Sequence, residues 1–415
     1  MTDRNRFTRR GLGRAAVGAA LLGAPLPLRF ASAQSAPANL KVGLLLPMSG
    51  AQALIGQACK RGADIANDVF AELKLPVKLD IVTYDTETKP DVARTQAEKA
   101  VEAGCNALVG AFDSGQTIAI AQVAEQKGVP LIVNIAAAPP ITESGYKFIV
   151  RNFPTAPMLL TSAFEMQKEI FKASGVTPKT AVLLSINDTF GSAMMGGIKA
   201  MFPKFDMPYQ IVETISYDAA AKDLSVEVAK AKATKADMLM PICRLNDAKL
   251  MVQEMVKQRW EPMMINPGTP GMYEEDFIKT MGKYGEYTVS IQPWLNPKSP
   301  MTVIVDKYHG AKFPKDQIDI DAGFTFEAML IAAHAWLDAK STKPDALMDA
   351  LRKTKIDDHV MVGGPIQFDA KGQNVNIKGA VLQNLQRKVQ VVLPADAAEA
   401  KLVFPQPGWG DKRRT

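Results

Sequence analysis

From residue 42 onward the chain alternates between two kinds of pattern. Short unbroken apolar runs (VGLLLP at 42–47, ALVGAF at 107–112, PLIVNI at 130–135, AVLLSI at 181–186, DMLMPIC at 237–243) are separated by longer stretches with apolar residues every three or four positions. The unbroken runs predict strands buried on both faces, and the 3.6-residue periodicity between them predicts helices. A strand, a helical crossover and a second strand form a parallel pair, so the alternation predicts α/β architecture with parallel sheets. Residues 106–142 hold the pattern in its most compact form. A strand at 107–112 leads through a polar loop at 113–116 into a helix ending at Lys127, and a strand at 130–135 runs into Ala136-Ala137-Ala138-Pro139-Pro140. Both loops leave the carboxyl ends of parallel strands, where open α/β sheets bind ligands. The first loop carries the Ser114 hydroxyl, with Gln116 in the same turn, and the amides of a helix N-terminus, which suit a carboxylate. Ser114 also reads as the cap of that helix. The second loop offers backbone groups at Ala136 and Ala137 with little side chain in the way.

The alternation runs twice. After a segment beginning at Phe148 and a linker at 152–157, a second set of strands is predicted at 181–186, 210–215, 237–243 and 262–266, with loops at 187–191 and 267–271. The strand at 286–293 crosses back, helices follow at 300–309, 325–339 and 344–353, and 363–365 marks a third crossing into a hairpin-like end (IQFDAKGQ, GAVLQNLQ, KVQVVLP). The lobes then comprise residues 39–155 with 293–363, and 156–292 with 364–415. Two lobes on three thin crossovers can hinge, with a ligand in the cleft between them.

Composition changes this picture mainly at the N-terminus. The chain has 415 residues, 47% hydrophobic and 22% charged, an ordinary globular balance with room for two domains. Arg4, Arg6, Arg9 and Arg10 precede an apolar run at 15–28, and Ala31-Ser32-Ala33 offers a small-residue cleavage site. Residues 1–33 therefore read as an export signal, with Arg9-Arg10 resembling a twin-arginine motif. The apolar run falls short of the ~20 residues that span a bilayer, and no Cys follows the cleavage site, so a soluble periplasmic protein is expected. The leader's six Arg and one Asp supply five of the six net positive charges, so the basic pI is no sign of nucleic-acid binding. Cys59, Cys105 and Cys243 are an odd set, which leaves at least one thiol unpaired. His309, His334 and His359 are scattered, and no metal site or cofactor is expected. The chain has no GxGxxG after its first strand, no GxxxxGK[ST] and no GxSxG elbow, and the run at 191–197 (GSAMMGG) lacks the Lys and Ser/Thr of a phosphate loop. These absences weigh against an enzyme on a doubly wound fold.

KVGLLLPMSG, VTYDTETKPDVA, LVGAFDSGQT, GVPLIVNIAAAPPIT, FIVRNFPT, INDTFG and VGGPIQFDAKGQ follow one another in an order and spacing that resembles a known family. It is the periplasmic solute-binding proteins of the leucine/isoleucine/valine type, which serve ABC importers, and the resemblance covers residues 41–376. It implies a type I periplasmic-binding fold with two doubly wound lobes joined by three crossover strands. It also implies a monomer without enzymatic activity that delivers an amino-acid-like or carboxylate ligand to membrane permease subunits. A ligand sensor of the amide-responsive type shares the fold, but the leader favours the binding protein. By the same resemblance, the family's carboxylate loop falls at Ser114 and its small-residue backbone loop at Ala136 and Ala137. A ligand-packing Tyr is replaced by Phe190, another falls near Arg244, and the aromatic of the first helix is Ile55. The family's disulfide cysteines are replaced by Thr88 and Asp113. The acid that holds an α-ammonium falls near Gly268 and is missing. A buried ammonium without a carboxylate costs several kcal/mol, so an amino acid would need Asp188 or Asp321 as a substitute. Ile55, Phe190 and Arg244 instead suit a carboxylate with an apolar or aromatic body. Arg244 reads equally as a surface residue paired with Asp247, Phe190 as core, and Arg151 as a brace for the hinge.

Overall fold

The structure, a computed structural model, describes residues 39–395 and 397–414; the predicted leader lies outside the described residues. The first lobe is built from β1 (Leu40–Leu46), α1 (Ala53–Glu72), β2 (Leu79–Asp85), α2 (Pro90–Glu102), β3 (Ala107–Gly110), α3 (Ser114–Lys127), β4 (Leu131–Val133), α4 (Pro140–Glu143) and β5 (Ile149–Arg151). Its sheet is wholly parallel in the order β2-β1-β3-β4-β5. The second lobe takes α5 (Ala156–Ser174), β6 (Thr180–Asn187), α6 (Thr189–Met201), β7 (Gln210–Asp218), α7 (Ser225–Ala233), β8 (Met238–Ile242), α8 (Leu245–Lys257), β9 (Met263–Asn266), α9 (Glu275–Met281) and β10 (Val289–Pro293). The chain then returns to α1 through α10 (Pro300–Lys312) and α11 (Ile320–Ala339), with α12 (Pro344–Arg352) packed on α11. A short ribbon of β11 (Lys355–Ile356) and β12 (Ile366–Gln367) leads to the hairpin β13 (Gly379–Leu385) and β14 (Lys388–Leu393). That hairpin joins the second sheet, whose order is β14-β13-β10-β9-β8-β6-β7, with β13 antiparallel to β10.

The apolar runs become strands because they feed two cores at once. Val42, Leu44 and Leu46 enter one cluster with Val109 and Ile132, while Leu45 enters the other with Leu108, Leu131 and Val133. A strand covered on both faces has no use for polar alternation. α1 and α11 pack so closely that a Cβ at Gly62 would lie 1.9 Å from the Ala322 carbonyl oxygen; only glycine admits that approach. Two short helices, α4 and α9, were not predicted, being too brief for a periodic signal. The IQFDAKGQ segment forms only β12, paired with β11 rather than with the terminal hairpin.

The crossovers are tied by buried polar side chains. Arg151 donates from Nε to Gln373 Oε1 (2.7 Å), from Nη1 to the carbonyls of Ala136 (3.0 Å) and Ala138 (2.8 Å), and from Nη2 to Thr142 Oγ1 (2.6 Å). It braces the crossover, as the sequence suggests, and burial pulls its pKa down to about 9. Glu327 of α11 accepts from His359 Nδ1 (2.8 Å) and from the amides of Val360 (3.1 Å) and Met361 (3.0 Å) on one oxygen, and from Asn152 Nδ2 on the other. One carboxylate thus joins the first and third crossings. Among the described residues, no helix is long and apolar enough to cross a membrane.

Candidate functional site

The loops at the carboxyl ends of the strands converge on a pocket between the lobes. Ser114, Ala136 and Ala137 line it from the first lobe, with Phe112, Ile135 and Phe153 beside them. Phe190, Arg244, Gly268, Pro270 and Tyr273 line it from the second lobe, together with Leu159, Gln292 of β10 and Ile320 at the start of α11. Five of the eight residues expected from the sequence therefore meet here: Ser114, Ala136, Ala137, Phe190 and Arg244.

The other three are placed elsewhere. Gln116 is turned away, accepting from Thr86 Oγ1 and donating to Gln52 Oε1 at 3.4 Å. Ile55 is buried but lines a separate outer cavity at the cleft mouth, together with Asp113, Asp188 and Arg244. Asp321 does not line the pocket. It is 1% exposed, neither carboxyl oxygen has a partner among the described residues, and its pKa is raised by burial and by the negative charges of Asp319 and Glu274.

The loop after β3 is shaped by Asp113, which caps α3 by accepting from the Gln116 amide at 3.1 Å. The expected Ser114 cap is thereby corrected. Ser114 is already the first helical residue, and its Oγ accepts from the Ala138 amide (3.3 Å), linking the two loops. In the second loop the carbonyls are engaged: those of Ala136 and Ala138 by Arg151, and that of Ala137 by the Ala156 amide at 2.7 Å. The amides of Ser114, Ala136 and Ala137 donate to no acceptor among the described residues. Three backbone amides at this end of the pocket are thus free to donate.

Arg244 follows neither simple reading. It is 7% exposed, and only its backbone amide donates to Asp247 (3.0 Å). Its guanidinium lies 5.2 Å from the Phe190 ring centroid and bridges two carboxylates. One is Asp188, which also caps α6; the other is Asp113 across the cleft, at 2.7 Å. Arg244 lines both the inner pocket and the outer cavity, so it stands between ligand space and solvent. Asp188 is thus already partnered. No Asp or Glu lines the inner pocket, and at Gly268 a φ of +96° strains any side chain. Cys59, Cys105 and Cys243 are buried and free, and the described residues hold no cluster suited to a metal.

Sequence reasoning noticed Gln292 only as a crossover position and did not single out Tyr273, Leu159 or Ile320. Isolated apolar residues at strand and helix ends carry no local signal, because their shared wall forms only when the lobes meet.

Residues 39–388 match the model of a family described as periplasmic binding protein. A Brucella abortus protein described as Leu/Ile/Val-binding protein homolog 8 is 24% identical over 405 residues, 92% of this chain and 98% of its own. The solute binding protein of an ABC transporter from Rhodopseudomonas palustris, in complex with benzoate, matches with a TM-score of 0.73 at 20% identity, covering 88% of this chain and 99% of that one. LivJ from Streptococcus pneumoniae, a branched-chain amino acid transporter substrate binding protein in complex with isoleucine, matches with a TM-score of 0.72 at 21% identity, covering 86% and 100%. These likenesses show the two-lobed type I fold expected from the resemblance.

Proposed function

The chain belongs to the periplasmic binding protein family, and on that premise we propose that its cleft captures a small carboxylate outside the cytoplasm and delivers it to an ABC importer. The observation that carries this reading is the set of free backbone amides on the first-lobe rim. Among the described residues, the Ser114, Ala136 and Ala137 amides have no acceptor, while the remaining walls are mainly apolar and contain no acid. A carboxylate takes hydrogen bonds without giving any, so it fits such a rim, and an aliphatic or aromatic body fills the rest. The pocket holds no nucleophile–base pair, which favours binding over chemistry. Ser114, Ala136, Ala137 and Phe190 are the residues assigned to the ligand.

Differential scanning calorimetry with matched pairs tests this reading: leucine against 4-methyl-2-oxopentanoate, phenylalanine against 3-phenylpropionate, with benzoate alongside. A ligand at a hundred times its Kd stabilises by about 2.7 kcal/mol. The deaminated acid of at least one pair is expected to stabilise the protein as much as its amino acid does. If amino acids alone stabilise it, the second reading holds. In that case the cleft rearranges to bring Asp321, which is buried without a partner among the described residues and stands off the pocket wall here, to the ammonium, and Asp321→Asn would abolish the shift.

A further inference from the structure

Among the described residues, five glutamines are buried to at least nine-tenths: Gln116, Gln167, Gln292, Gln373 and Gln383. Four of them bond their amides within the protein. Gln116 does so with Thr86 and Gln52, Gln167 with Tyr209, Gln373 with Arg151 and the Phe153 carbonyl, and Gln383 with Val403. Gln292 is the exception. It is 2% exposed, its Nε2 is buried without a partner, and no hydrogen bond reaches its Oε1 among the described residues.

Its place in the fold makes this more than a packing defect. The backbone of Gln292 is held in β10, in register with Ala380 of β13, and the residue lines the inner pocket. It does so from the second sheet, whereas the free amides of Ser114, Ala136 and Ala137 belong to the loops of the first. Beside it on the pocket wall, the Tyr273 hydroxyl also makes no hydrogen bond among the described residues, and burial raises its pKa well above the ordinary value. A buried amide nitrogen with no acceptor is costly, and native structures rarely keep one without a reason.

We propose that Gln292 recognises a second polar group on the ligand, so that the preferred solute is a hydroxy- or oxo-carboxylate rather than a plain hydrocarbon acid. The amide can both donate and accept, which suits a hydroxyl that does the same. The Tyr273 hydroxyl stands ready as a second partner. The inference rests on the carboxylate reading above and deepens it: one lobe binds the acid, and the crossover strand selects for a polar substituent. A site built to bond a hydroxyl disfavours the analogue lacking it because its own polar groups are then left buried and unpaired.

Isothermal calorimetry with benzoate, 3-hydroxybenzoate and 4-hydroxybenzoate tests it on wild-type protein and on Gln292→Met, a substitution close in volume and shape that removes both polar atoms. In wild type, one hydroxybenzoate is expected to bind at least about tenfold more tightly than benzoate. In Gln292→Met that ratio should fall to about one, with benzoate binding as well as before or better. The ligand-free variant should melt no lower than wild type, because it loses no internal hydrogen bond. If the ratio survives the substitution, Gln292 does not read the ligand and the proposal falls alone. If none of the three acids, nor any other acid of the matched pairs, binds wild type, the carboxylate reading fails and takes this one with it. Should Gln292→Met not fold, Gln292→Leu gives the same comparison, and failure of both through instability would assign the amide a structural role and overturn the proposal.

Discussion

At the crossovers, the Glu327 carboxylate is fully buried and accepts four hydrogen bonds; a short way along the same helix, the Asp321 carboxylate is 1% exposed and accepts none from the described residues. The contrast extends to their neighbours. Arg151, Asn152, Gln373 and Asn374 form a bonded network where the chain passes between lobes. Around the pocket and behind it, Gln292 Nε2, Glu274 Oε1 and both Asp321 oxygens have no partner among the described residues. A fully satisfied buried network is rigid and specific, whereas a half-satisfied one is costly. The hinge is therefore finished by the protein alone, and the site keeps unmet hydrogen-bonding capacity that a ligand or a proton can meet.

The sharpest way to break this comparison is to remove the hinge carboxylate. Glu327→Ala leaves His359, Asn152 and two amides buried without their acceptor, and is expected to destabilise the protein by about 3–5 kcal/mol. Urea unfolding measures it; a loss under about 1 kcal/mol would show that the crossings do not depend on this residue.

The next effect concerns the Arg244–Asp113 bridge, which joins the lobes at the cleft mouth. Asp113→Asn keeps a capping side chain for α3 but removes the charge facing Arg244. If the bridge holds the cleft shut, ligand dissociation measured by stopped-flow fluorescence should speed up about tenfold or more, with association little changed. Were Arg244 the ligand's own anchor, freeing its guanidinium would tighten carboxylate binding, so the direction of change decides between the two roles.

A third effect is with pH. Both ring nitrogens of His359 face acceptors, Glu327 Oε1 (2.8 Å) and the Gly364 carbonyl (2.9 Å). Although burial opposes the charge, these bonds raise the His359 pKa above its ordinary 6.5. A group raised on folding contributes stability below its unfolded pKa and loses it as pH climbs through the folded value. Glu274 follows the same sign over a lower window. Burial, with help from Asp319, lifts it from 4.5 to about 8, so its contribution begins to fade above pH 4.5. Stability should therefore decline from mildly acidic pH upward. Glu274→Gln should flatten the early part of the decline, and His359→Gln the part above pH 6.5. With only three histidines, imidazole NMR can follow His359 directly, and a pKa at or below 6.5 would refute the hinge assignment.

What could be read without the structure was whatever is written locally. The unbroken apolar runs marked the strands because a strand covered on both faces needs no polar alternation. Ser114 and Ala136–Ala137 were legible because they follow such runs, at the ends where parallel sheets leave their loops open. Signals that depend on a partner far along the chain were read only in part. Arg244 looked like a surface residue or a ligand's cation, since nothing near it in sequence reveals that Asp113, 131 positions away, takes its charge. Asp321 and Glu327 are two acids in one helix, and only packing decides that one meets the crossover amides while the other meets nothing. Gln292 is an ordinary strand glutamine until its neighbours are in place. The chain by itself determined its elements and their order, because these follow from short-range patterns of burial. Which polar groups are satisfied, and which are left for a ligand, was decided by the tertiary structure, because a hydrogen bond needs its partner within about 3 Å and only folding brings distant residues that close.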